Sequence, residues 1–119
     1  MEEKRIYIAG KIGTYDIDKV SKETFGKFHN ATKELKEIFP NCQVCNHLDY
    51  AKFLLEENLP LNVYTRCLKN KNIRTLTDST AIYLLTDWRS SAGALFEKEV
   101  ADFLGLEIIY QKERSNSDE

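Results

Sequence analysis

A run of seven residues, Ser91-Ala92-Gly93-Ala94-Leu95-Phe96-Glu97, carries the residue types needed to hold an anion beside a buried carboxylate. Serine is a preferred helix N-cap, and a helix start offers N–H groups and the positive end of the helix dipole. A phosphate or carboxylate binds readily at such a place; a plain N-cap is the simpler reading of Ser91 alone. On a helical wheel with Phe96 as origin and about 100° per residue, Phe103, Val100, Leu104 and Ala101 span roughly −20° to 140° and form an apolar stripe. Lys98, Glu99 and Asp102 fall between about 200° and 300°, the solvent side. Glu97 falls at about 100°, inside the apolar stripe, with Gly93 one turn earlier on the same face. A carboxylate facing a core is costly unless it is paired or hydrogen-bonded. Glu97 therefore either opens onto a site above the strands or has a dedicated partner. The alternative is a stripe-edge side chain that reaches solvent or a structural ion pair. Leu95 is the converse anomaly, apolar on the polar side; it marks a subunit contact or is a single exposed leucine.

Other reactive side chains are less specific. Cys42-x-x-Cys45, with His47 and Cys67 further on, invites a redox or zinc reading. The later spacing is not that of a zinc finger or ribbon, and the pair does not open a long helix after a strand. Buried or incidental cysteines are the better reading, and neither a metal nor a cofactor is expected. Trp88 either stacks on a ligand or covers the end of a sheet, and Tyr15 has the same two readings. His29 falls on the exposed side of a helix. Asn46 and His47 follow a strand and face the same rim as the loops described next.

The elements that must position these groups can be read from periodicity. Arg5 to Ala9 reads as a strand, with the turn Gly10-Lys11-Ile12-Gly13 after it. A helix is predicted from about Asp18 to Ile38, with Phe28, Ala31, Leu35 and Ile38 as its apolar positions and Pro40 as its stop. Gln43 to Cys45 is a short strand, and Leu48 to Glu57 and Asn62 to Leu76 are predicted helices separated at Pro60. Thr80 to Thr86 is the clearest strand, apolar enough to be covered on both faces. Ala92 to Leu104 is a helix ending at Gly105, and Glu107 to Tyr110 is the last strand. This order predicts a three-layer α/β domain, Rossmann- or flavodoxin-like, with a parallel sheet of four to five strands and helices on both faces. Open sheets of this kind bind ligands beyond the carboxyl ends of their strands, where strand order reverses. The two loops so placed run from Gly10 to Tyr15 and from Asp87 to Gly93.

Bulk properties narrow the function classes. A chain of 119 residues suffices for one core, predicted over residues 1–111 with a flexible polar tail over 112–119. The net charge of −2, with both signs mixed along the chain, argues against a nucleic-acid partner. No apolar run approaches the roughly 18 residues of a membrane span, so no membrane partner is expected. With no signal-peptide pattern at Met1-Glu2-Glu3-Lys4-Arg5 and an odd number of cysteines, the expected location is cytoplasmic.

Together these pieces resemble the nucleoside 2-deoxyribosyltransferase superfamily, and next to it the 2'-deoxynucleoside 5'-phosphate N-hydrolases. The matching segments are Ile6-Tyr7-Ile8-Ala9-Gly10-Lys11-Ile12, Ile82-Tyr83-Leu84-Leu85-Thr86-Asp87-Trp88 and Ser91-x-Gly93-Ala94-x-x-Glu97-x-x-x-Ala101-x-x-x-Gly105. The resemblance runs from about residue 5 to 110, with residues 40–70 matching weakly. It implies N-glycosidic bond cleavage or deoxyribosyl transfer, with Glu97 as nucleophile and Tyr7 as the group that orients it. It further implies that Gly10, Lys11, Ile12, Gly13 and Ser91 cradle a 5'-phosphate or sugar, with Asn72, Asp87, Trp88 and Gly93 also at the substrate. The implied ligand is a nucleoside or nucleotide, and the implied assembly a homodimer or larger homo-oligomer. Two positions depart from the pattern: Asn72 and Thr80 stand where relatives carry aspartate. Asparagine donates and accepts hydrogen bonds but is neither acid nor base, and Asp78 is the nearest carboxylate that could substitute. These departures favour a second reading, a nucleotide-binding module without turnover. A small α/β interaction protein with a structural Glu97 is the third.

Overall fold

The computed structural model describes residues 4–14, 19–49, 51 and 57–112. Tyr15, the predicted helix start at Asp18, most of the predicted helix from Leu48 to Glu57, and residues 113–119 of the tail lie outside them. Among the described residues, four strands form one all-parallel sheet: β1 (Arg5–Ala9), β2 (Gln43–Asn46), β3 (Ala81–Leu84) and β4 (Glu107–Tyr110). Their order across the sheet is β2-β1-β3-β4. Three long helices connect them: α1 (Lys22–Ile38), α2 (Leu61–Thr77) and α3 (Ala92–Leu104). The fold is therefore a three-layer, Rossmann- or flavodoxin-like α/β domain. Among the described residues, no helix is long and apolar enough to cross a membrane.

The strands alternate their side chains between two cores, as the period of two requires. Ile6, Ile8, Ala81 and Tyr83 pack with Phe28, Ala31 and Leu35 of α1 on one face. Tyr7, Ala9, Ile82 and Leu84 pack with Ala94 and Ala101 of α3 on the other. Parity also separates the thiols of Cys42 and Cys45: Cys42 lies in the first core and Cys45 against the second. All three cysteines are free.

Three expectations are corrected. First, α1 starts at Lys22, because Ser21 caps it by accepting from the Thr24 amide at 3.1 Å, and Ile38 at its far end is 61% exposed. Second, β3 is shorter than the apolar run from Thr80 to Thr86, since Thr80 docks on Arg5 and the chain turns after Leu85. Third, α3 does not bury its predicted stripe. Phe96, Phe103 and Leu104 are exposed, Val100 is half-buried, and the helix meets the sheet through Ala94 and Ala101. Two alanines at a spacing of seven let the helix backbone approach the strands more closely than a phenylalanine face allows.

Gly10 ends β1 under a packing constraint of its own. A Cβ there would lie 2.6 Å from Leu85 Cδ1, so the close approach of the two chain segments requires glycine. Gly13, at φ 91°, turns the same loop through the left-handed region. Replacing Gly10 with alanine forces Leu85 or the loop to move and is expected to cost about 1–3 kcal/mol. Urea denaturation of Gly10→Ala checks this; an unchanged midpoint would refute the constraint.

Candidate active site

β1 lies between β2 and β3, and its successor by sequence lies on one side while β3 and β4 continue on the other. Strand order thus reverses at β1, and a crevice opens beyond its carboxyl end. A cavity of about 570 Å³ occupies that place, within the range of roughly 300–1,000 Å³ typical of small-molecule sites. Tyr7 and the Gly10–Gly13 loop line it from β1, His47 from the segment after β2, and Lys69 and Asn72 from α2. Ser91, Gly93, Phe96 and Glu97 line it from the start of α3.

At the cavity floor the Tyr7 hydroxyl donates to Glu97 Oε2 at 2.8 Å. Tyr7 is 1% exposed, fixed on a strand paired on both sides. Burial raises the Glu97 carboxyl from 4.5 to about 7, although the Tyr7 hydrogen bond opposes that rise. Burial, followed by the charge of Glu97 beside it, holds the Tyr7 hydroxyl well above its ordinary value. The pair thus combines a tyrosine that stays protonated with a carboxylate that changes charge near neutrality.

Ser91 is the N-cap of α3, its Oγ accepting from the Ala94 amide at 3.2 Å. The first intrahelical bond runs from the Leu95 amide to the Ser91 carbonyl. The Ala92 and Gly93 amides therefore precede the helical ladder at the cavity wall, as helix geometry dictates. Lys11 and Lys69 add positive charge to the same lining. Lys69 escaped the sequence reading; its spacing of three from Asn72, on one face of α2, is the signal that points to it.

Asp87 and Trp88 stand outside the cavity lining. Asp87 is a clamp: Oδ1 accepts from the Lys11 amide at 3.0 Å and Oδ2 from the Lys27 ammonium at 2.5 Å. Lys27 also donates to the Lys11 carbonyl at 2.6 Å, so α1 and the β3 end together hold the Gly10–Gly13 loop. Nothing in the sequence marks Lys27, which lies 60 residues from Asp87. Trp88 covers the sheet end, packed against the second core with Tyr110 at 6.1 Å and the Arg89 guanidinium at 5.3 Å. Asn46 caps the helical residues 47–49 by accepting from the Leu48 amide at 2.7 Å. Asp78 ends α2 and Thr80 docks on Arg5, both at the opposite end of the sheet from the cavity. Asp78 therefore cannot substitute for an acid at the Asn72 position.

A family model for the domain of unknown function DUF4406 matches residues 4–110. The chain belongs to the DUF4406 family. The matched span runs from β1 through β4, so the sheet, the clamp and the cavity all lie within the DUF4406 domain. No curated protein matches the chain.

Because the folded Glu97 carboxyl titrates near 7 and an ordinary one near 4.5, the folded domain binds more protons between these values. Its contribution to stability is complete below about pH 4.5 and is lost as pH rises to about 7. Glu97→Gln cannot ionise. It is expected to be more stable than the parent above pH 7, by on the order of 2 kcal/mol, with the gain fading at pH 4.5. Paired urea titrations across this range check the difference; a gain that is independent of pH would contradict the buried carboxylate.

Proposed function

We propose that this DUF4406 domain cleaves or transfers the N-glycosidic bond of a nucleoside or nucleoside 5'-monophosphate. The observation that carries the reading is the Tyr7–Glu97 hydrogen bond at the floor of a cavity at the sheet's reversal point. Glu97 attacks the anomeric carbon: a carboxylate oxygen bonds to it as the C–N bond breaks, and the electron pair leaves with the base. Water or a second base then takes the glycosyl group and releases Glu97. Tyr7 keeps the attacking carboxylate on one trajectory. The sequence resemblance to the nucleoside 2-deoxyribosyltransferase superfamily supports these roles, as do the Ala92 and Gly93 amides at the α3 start, which suit a 5'-phosphate.

The reading predicts release of free base from a panel of nucleosides and their 5'-monophosphates, with kcat/KM rising through pH 7 as Glu97 ionises. Glu97→Ala removes the nucleophile and is expected to lower turnover at least a thousandfold. Tyr7→Phe leaves the carboxylate unheld and costs about tenfold to a hundredfold. Base release that survives Glu97→Ala would sink the mechanism. Binding of a nucleotide without release supports the second reading, a binding module without turnover, which Asn72 favours. With three free thiols, the domain is proposed to act in the cytoplasm.

The proposed assembly is a homo-oligomer built on α3. Phe103 is 88% exposed, and Phe96, 56% exposed, also lines the cavity, so an apolar strip begins at its mouth. A second copy docked there closes the open wall. Phe103→Glu is expected to convert a dimer to a monomer in light scattering while circular dichroism stays unchanged. A parent chain that is monomeric at every concentration would exclude this assembly.

A further inference from the structure

In the part of the cavity lining that comes from α2 and the segment after β2, two side chains meet that the proposed chemistry does not use. Asn72 is 5% exposed on α2, and its Nδ2 stands 2.6 Å from Nδ1 of His47. Both residues line the cavity. The contact fits an amide N–H donating to Nδ1, the pairing in which a neutral ring carries its proton on Nε2. The backbone that carries His47 is itself pinned. Asn46 accepts from the Leu48 amide at 2.7 Å, and Asp49 accepts from the Asn46 amide at 2.9 Å. Burial pushes the ring down to about 4, so it stays neutral near pH 7.

We propose that His47 reads the base of the ligand through an Nε2–H hydrogen bond, and that Asn72 is the positioning residue that holds its tautomer. The inference rests on the nucleoside or nucleotide reading above and deepens it. The ligand must offer a lone pair to His47, a ring nitrogen or carbonyl oxygen of a heteroaromatic base. An asparagine does this where an aspartate would not: a carboxylate accepts only, so it would draw the proton to Nδ1 and favour the charged ring. The pair is then charge-neutral. It selects and orients a base without supplying an acidic proton to it.

The test uses the full chain with His29→Gln, which removes the exposed histidine of α1 and leaves one imidazole to observe. Two-bond proton–nitrogen NMR spectra read which ring nitrogen carries the proton. The expected result is the Nε2–H tautomer, moving to Nδ1–H or the doubly protonated ring in Asn72→Asp. The four 2'-deoxynucleoside 5'-monophosphates serve as probes. The preferred one is expected to shift the His47 resonances and to lose about tenfold in affinity, as one hydrogen bond implies, in His47→Phe. His47→Gln, which keeps a donor, restores part of that loss. A ring proton on Nδ1 in the parent, or nucleotide binding that leaves His47 unshifted and His47→Phe unaffected, overturns the inference alone. No binding of any probe, with the tautomer intact, overturns the nucleotide reading and the base-reading role together.

Discussion

A carboxylate held against a tyrosine beneath a helix is the constraint around which this domain is arranged. Burying Glu97 carries a desolvation cost that the Tyr7 hydroxyl offsets only in part, as the upward displacement of the carboxyl shows. The contact requires α3 to lie close to the sheet, and Ala94 and Ala101 make that approach sterically open. It also requires a tyrosine that does not move. Tyr7 sits in the middle of a parallel sheet with ladder bonds to both neighbours, where its ring is part of the second core.

The walls of the cavity show two contrasting ways of holding polar groups. The Gly10–Gly13 loop is anchored by ionic contacts, Asp87 joining the Lys11 amide to the Lys27 ammonium. Asp87 and Lys27 lie outside the lining, so the loop is stiffened from behind while Gly10, Lys11, Ile12 and Gly13 line the cavity. The far wall has an uncharged contact, Asn72 with His47, in which burial keeps the ring neutral. Within the described lining, the group whose charge changes near neutrality is Glu97. A site built this way concentrates its ionisation near neutrality at one carboxylate.

The exposure of Phe96 and Phe103 follows from the same geometry. A helix that meets the sheet through alanines cannot also bury the large side chains roughly 160° away on its surface. They are left outward, where Phe96 forms part of the cavity wall and Phe103 stands in solvent. The wheel placed Glu97 inward by grouping it with those phenylalanines. It is inward because it lies next to the alanines instead.

Local pattern sufficed for much of this protein. β1, α3 and β4 have the boundaries their periodicity and stop signals imply, and the order of elements implies a parallel sheet with its crevice beyond β1. Ser91, Gly93 and Glu97 were legible from the cap and first turns of a predictable helix, whereas the place of Tyr7 beside Glu97 was implied by the family resemblance. Which face of α3 is buried was not legible, since a wheel ranks hydrophobicity and the sheet selected for small size. The clamp of Asp87 by Lys27 and the pairing of Asn72 with His47 belong to the tertiary structure alone. They join residues 60 and 25 positions apart, and side-chain hydrogen bonds at such separation leave no periodic trace in the chain that makes them.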